Sequence, residues 1–201
     1  YMNRQRAAVV GSLGICYYRE GKFETAAEHK PDYLRISQAE RERAEKEKNA
    51  KPEVRGMTIE DGAAVAEMEH QSFSDAWSEK AVLETLRQPT ALCLVAEKAG
   101  RRVGYLLAYQ AADEIEIARV AVVEEVKRQG VGTALMKKLQ EEGTQRKARK
   151  ILLDVREKNH MAQAFYEKIG FKEDGIRKRF YTEPEEDAVL MSMQILSLIH
   201  I

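Results

Sequence analysis

Val120-Ala121-Val122, followed by Lys127-Arg128-Gln129-Gly130-Val131-Gly132-Thr133, is the stretch of this chain best equipped for chemistry. It reads as a strand, a short loop and a glycine turn that opens a helix. Successive backbone N–H groups at such a helix start make a ready site for a phosphate or pyrophosphate. Gly130 and Gly132 carry no Cβ, so a ligand can approach the main chain closely there. Lys127 and Arg128 add charge of the matching sign. The expectation is a phosphorylated cofactor held at this turn.

The elements around the turn predict a mixed α and β domain. Residues 54–57 suggest a first strand. Thr58 with Asp61 signals the start of a helix through Val65, Met68 and Phe73, and Ser78 caps a second helix carrying Val82, Leu83 and Leu86. Residues 91–96, 103–109 and 115–123 read as three successive strands. In the third, Ile115 and Ile117 share one parity while Val120 and Val122 take the other. A β-bulge at Ala118-Arg119 shifts the phase in this way, and so does a strand covered on both faces.

After the turn, Val131, Ala134, Leu135 and Leu139 form one helical stripe, and Gly143 ends it. Residues 151–155 are a short apolar strand. Asn159 caps a further helix with Met161, Ala164, Phe165 and Ile169 on its stripe, closed by Gly170. Residues 171–181 and 188–193 read as a closing antiparallel pair.

Composition narrows the class. The chain has 201 residues, 44% hydrophobic, with 33 basic and 33 acidic side chains. Such a balance gives no bulk attraction to nucleic acid or membranes, and no apolar run reaches the roughly 18 residues of a membrane span. Cys16 and Cys93 lack paired spacing and read as small buried hydrophobes of a cytoplasmic protein. His70 and His160 read as isolated surface or cap-region residues, with no metal constellation. Four regions follow: 1–35, with a small-residue helix ended by Gly21; a charged linker over 36–51; a compact domain over 52–195; and a tail over 196–201. The tail matches the translation of a transposon-end sequencing adapter and is expected to be non-native.

A dinucleotide turn is one reading, with Asp154 as the ribose-binding acid after the next strand. Against it, Leu135 stands where a third glycine belongs, and the preceding strands follow one another without helices. Lys127 to Gly132 instead resembles the Q/R-x-x-G-x-G/A signature of the GCN5-related N-acetyltransferases (GNAT). Leu153-Asp154-Val155-Arg156, Asn159, Ala164-Phe165-Tyr166-Glu167 and Ile169-Gly170-Phe171 follow at that family's spacing. Within the family, Phe73, Trp77-Ser78-Glu79 and Arg177-Lys178-Arg179-Phe180-Tyr181 resemble the RimI group, which acetylates the N-terminal alanine of a ribosomal small-subunit protein. Ala76 and Thr182 replace that group's usual prolines, and Asp154 its usual glutamate. Residues 31–41 resemble the C-terminal end of the TsaB family of tRNA threonylcarbamoyladenosine biosynthesis, so 1–35 is expected to be a fusion remnant without that activity.

The resemblance implies an α/β GNAT fold with a mostly antiparallel sheet and a splayed, bulged strand pair. It implies acetyl-CoA as substrate and a peptide or protein N-terminus as partner, with no nucleic acid. The amides of Arg128, Gln129, Gly130, Val131, Gly132 and Thr133 would hold the pyrophosphate. Val120, Ala121 and Val122 would face the pantetheine arm and the thioester carbonyl, and Asn159 the pantetheine amide, alongside or instead of capping. Asp154 takes the role of general base, with Glu116 as fallback and an ion pair to a neighbouring Arg or Lys as the alternative. Tyr166 takes the role of the acid that protonates the departing thiolate, against the alternative of a core tyrosine. Trp77 and Tyr181 either line a peptide groove or serve as packing aromatics. Small amines, lysine side chains, or a non-catalytic CoA-binding or interaction module are the competing functions.

Overall fold

The computed structural model describes residues 19–21 and 50–195. The readings of 1–35 other than 19–21, of most of the linker, of Cys16 and of the tail lie outside the described residues. Gly21, expected at a helix end, has a left-handed φ of 71°.

From residue 53 the chain runs β1 (Glu53–Gly56), a single 3-10 turn (Ile59–Asp61), α1 (Gly62–Ser72), α2 (Glu79–Leu86), β2 (Ala91–Lys98), β3 (Arg101–Ala111) and β4 (Glu114–Val122). It continues with a second 3-10 turn (Glu124–Val126), α3 (Val131–Gln145), β5 (Lys150–Arg156), α4 (His160–Lys168), β6 (Lys172–Thr182) and β7 (Glu185–Gln194). One seven-stranded sheet has the order β1-β2-β3-β4-β5-β7-β6. Only β4 and β5 run parallel; every other pair is antiparallel. This is the expected mixed, mostly antiparallel fold.

Helices cover both faces, so β2 and β3 read as nearly continuous apolar runs. On one face Leu106, Ile115, Ile117, Ile151 and Leu153 pack with Leu135 and Leu139 of α3 and Tyr166 of α4. On the other, Tyr105, Leu107 and Cys93 pack with Val65 and Met68 of α1 and Val82 of α2. Burial pushes the Cys93 thiol up to about 11, so it behaves as a small hydrophobe.

The phase change in β4 is a bulge. Leu107 pairs with Arg119 and Ala108 with Ile117, leaving Ala118 without an opposite residue. A bulge bends its strand and increases the local twist. The β4–β5 pairing accordingly stops at Ile117↔Leu153. Beyond it β4 stays with β3 to Val122, and β5 stays with β7 to Arg156. A wedge opens between the two strands.

Two helix readings are corrected. Gly143 does not end α3, which continues to Gln145. A Cβ at Gly143 would stand 2.7 Å from Ile195 Cδ1 and 2.9 Å from Ile115 Cδ1, so the glycine serves packing inside the helix. Thr58 and Asp61 do form the expected capping pair, but at the 3-10 turn, so α1 starts later with Asp61 as its N-cap.

Asp61 ties β1, α1 and β3 together. Its fully buried carboxylate accepts from Arg55 Nη1 and Nη2 at 2.7 and 2.9 Å, Arg102 Nε at 3.0 Å and Thr58 N at 2.8 Å. The Arg55 guanidinium, helped by Thr58 and Arg102, holds this carboxyl well below the ordinary carboxylate range. Because the folded-state value is depressed, the stabilisation is complete above the unfolded-chain value near 4 and is lost as pH falls through the folded-state value. Asp61→Asn should cost about 2 kcal/mol at neutral pH. Chemical denaturation at pH 7 and pH 3 checks this. The native protein should lose more stability over that interval than the variant, and equal losses would remove Asp61 from the acid limb.

Candidate active site

The start of α3 has the geometry of an anion site. Gly130, its N-cap, takes φ 83° and ψ 0°, a left-handed conformation with no Cβ penalty for glycine. Arg128 is left-handed as well, at φ 62°. The N–H groups of Arg128, Gly130, Val131, Gly132 and Thr133 make no main-chain hydrogen bond among the described residues. Unpaired N–H groups and the positive end of the helix dipole favour a phosphate here.

Two details add to the expected cradle. The Gln129 N–H is already used, donating to the Val126 carbonyl at 3.2 Å. Its side chain is also committed: Nε2 donates to the Glu125 carbonyl at 2.9 Å, and Oε1 accepts from the buried Lys98. Gln129 therefore braces the turn. Gly132 does not simply clear space for a ligand, since a Cβ there would meet Phe165 Cζ at 3.2 Å. Its missing side chain seats the Phe165 ring of α4 against α3. Lys127 pairs with Glu124, which spends part of its charge.

The wedge lies beside this turn in the chain. Val120, Ala121 and Val122 are bonded to β3 opposite Leu106, Tyr105 and Gly104, and no β5 residue pairs with them. Alternate peptide groups of this stretch consequently face the gap. Across it, Asp154 of β5 is largely buried, and Arg177 Nη1 sits 3.3 Å from its Oδ2. The ion-pair alternative for Asp154 is thus present in the structure, with Oδ1 unengaged among the described residues. Tyr181 Oη donates to the Asp154 carbonyl at 3.4 Å. Glu116 is exposed and pairs with Leu152, two residues before Asp154 along β5.

Tyr166 on α4 is buried between Phe165 and Phe171, with ring centroids 5.3 and 5.5 Å away. Its hydroxyl bonds to none of the described residues. Burial raises the phenol above its ordinary pKa, so it stays protonated at neutral pH. Asn159 caps α4, its side-chain oxygen accepting from Ala162 N at 3.1 Å. The capping role exists, and the amide nitrogen is not used in it. Glu186, buried on β7, accepts from Lys158 N at 2.6 Å and pairs with Arg156 at 3.3 Å. Those contacts hold its carboxyl below the usual range and fix the loop that presents α4.

Sequence reasoning gave no role to Asp75 or Glu69, and named Arg119 and Arg177 without assigning their partners. Arg119 interrupts an apolar strand, and a cation in such a place signals a paired charge. Its partner lies 44 positions away, beyond any local pattern. Trp77 and Tyr181 both carry cations on their faces: Arg119 is 5.3 Å from the first ring centroid and Arg156 is 4.1 Å from the second.

Residues 62–171 match the model of the acetyltransferase (GNAT) family. Over 146 residues, 72% of this chain and 97% of the relative, the sequence is 37% identical to a Bacillus subtilis protein named as a candidate ribosomal protein bS18-alanine N-acetyltransferase. It is 31% identical over 134 residues to the ribosomal protein bS18-alanine N-acetyltransferase of Escherichia coli K12, covering 66% of this chain and 90% of that one. The crystal structure of the ribosomal-protein-S18-alanine N-acetyltransferase from Escherichia coli superposes with a TM-score of 0.67 at 27% identity, over 75% of this chain and 99% of that one.

Proposed function

The chain belongs to the GNAT family of acetyl-CoA-dependent acyltransferases, and from that premise we propose that it acetylates the α-amine of a protein N-terminal alanine, that of a ribosomal small-subunit protein. The observation that carries this reading is the wedge. The unpaired amides at the start of α3 follow closely on one wall, Val120 to Val122, while Asp154 stands on the other, β5. Likeness to the two ribosomal-protein acetyltransferases supports the choice of acceptor.

The Arg128, Gly130, Val131, Gly132 and Thr133 amides bind the pyrophosphate of acetyl-CoA, and Asn159 Nδ2 donates to the pantetheine arm. The gap-facing N–H groups of Val120 to Val122 polarise the thioester carbonyl and stabilise the oxyanion that forms on it. An α-amine titrates near 8, so about a tenth is neutral at pH 7. Its nitrogen attacks the carbonyl carbon while Asp154 Oδ1 accepts the proton, directly or through one water. The C–S bond then breaks, and Tyr166 gives its proton to the leaving thiolate. Solvent exchanges protons with the tyrosine and the aspartic acid to restore both.

Mass spectrometry of peptides incubated with acetyl-CoA tests the assignment. A peptide beginning Ala-Arg-Tyr should gain one acetyl group on its α-amine. A peptide with a blocked N-terminus and a free lysine should gain none, and neither should small amines. Acetylation confined to lysines or small amines would replace this reading.

A further inference from the structure

Arg119 has no part in the chemistry above, yet it is the most heavily engaged cation at the wedge. It follows the unpaired Ala118 on β4, so the bulge itself sets where its side chain leaves the strand. The guanidinium carbon lies 4.7 Å from the Phe73 ring centroid and 5.3 Å from that of Trp77. Nη2 is 2.8 Å from Asp75 Oδ2 and 3.2 Å from the Asp75 carbonyl, and Nη1 is 3.2 Å from Oδ1. Phe73, Asp75 and Trp77 all belong to the connection between α1 and α2. Glu69 holds it as well: the Trp77 N–H donates at 3.0 Å to the Glu69 side chain, and the Phe73 N–H at 2.9 Å to the Glu69 carbonyl. Glu69 is fully buried, accepts from Tyr105 Oη, and lies within the field of Arg119. Arg119 stands two residues past Ile117, the last β4 residue paired with β5, so the connection it holds lies beside the opening of the gap.

Resting on the proposed function, we propose that Arg119 is a positioning residue that clasps the 73–77 segment to β4 and makes it a fixed wall for the incoming peptide. Only a planar, forked guanidinium can pair bidentately with Asp75 and lie over two rings at once. The cofactor turn at α3 is held by different contacts, from Lys98 and Glu125 through Gln129. Loss of the clasp should consequently fall on the acceptor and spare acetyl-CoA.

Trp77 is the chain's single tryptophan, so its emission reports the clasp directly. Arg119→Gln should shift that emission to the red, and should raise the KM for the Ala-Arg-Tyr peptide on the order of tenfold, with the KM for acetyl-CoA within about twofold. Arg119→Lys should restore little, because an ammonium cannot fork. Asp75 is 66% exposed, so Asp75→Asn tests the same clasp without disturbing the core, and should move both readouts in the same direction by less. An unchanged peptide KM alongside a shifted emission would overturn the proposal, as would equal rises in both KM values. If no peptide is acetylated by the native protein, the functional reading fails. The emission and acetyl-CoA titrations of the variants then still decide whether Arg119 holds the segment.

Discussion

Tyr166→Phe should lower kcat by about 100-fold or more, the usual range for loss of a positioned acid, while acetyl-CoA binds as before. The substitution removes one oxygen and keeps the ring between Phe165 and Phe171. Since that hydroxyl bonds to none of the described residues, its loss strands no partner among them and should leave folding intact. Burial keeps the phenol protonated, which suits a proton donor and disqualifies it as a base at neutral pH. Single-turnover kinetics with saturating peptide separates the two effects. A weakened affinity for acetyl-CoA with unaltered turnover would return Tyr166 to the role of a packing residue.

The second large effect belongs to Asp154. Asp154→Asn should reduce kcat/KM at pH 7 by about 100-fold, and the deficit should shrink as pH rises past the α-amine value near 8. Above that value most of the nucleophile arrives already deprotonated. Arg177, the partner left behind, is half exposed, so the change should cost little stability. A pH–rate profile of the variant tests the role. Wild-type turnover at pH 7 would make Asp154 only the anchor of Arg177, and would move the base assignment to Glu116.

What could be read from the sequence was whatever has a short period or a short range. The bulge was one of two readings that the phase change allowed, since Ile115 and Ile117 share one parity and Val120 and Val122 the other on a strand of nine residues. Ser78 and Asn159 cap their helices as their residue types predict. Gly143 misled, since a glycine near a helix end is most often a stop. Here the approach of Ile115 and Ile195, set by tertiary packing, requires the small residue instead. Gly132 has a second use that only tertiary packing reveals, the seating of Phe165. The strand order was not legible: β7 inserts between β5 and β6, and nothing local specifies that. Nor were the pairings Asp154–Arg177 and Asp75–Arg119, each of which joins residues more than 20 positions apart. The main-chain geometry of the candidate site was therefore visible in the sequence, and its electrostatic partners were not.

Isothermal titration of the whole chain with acetyl-CoA and with coenzyme A bears most directly on the grip of the α3 amides. Saturable uptake of one equivalent is expected. It should be weakened at least tenfold by Gly130→Val, because a β-branched residue is disfavoured at the left-handed φ of 83°. No uptake by the native protein, or uptake indifferent to that substitution, would contradict the account.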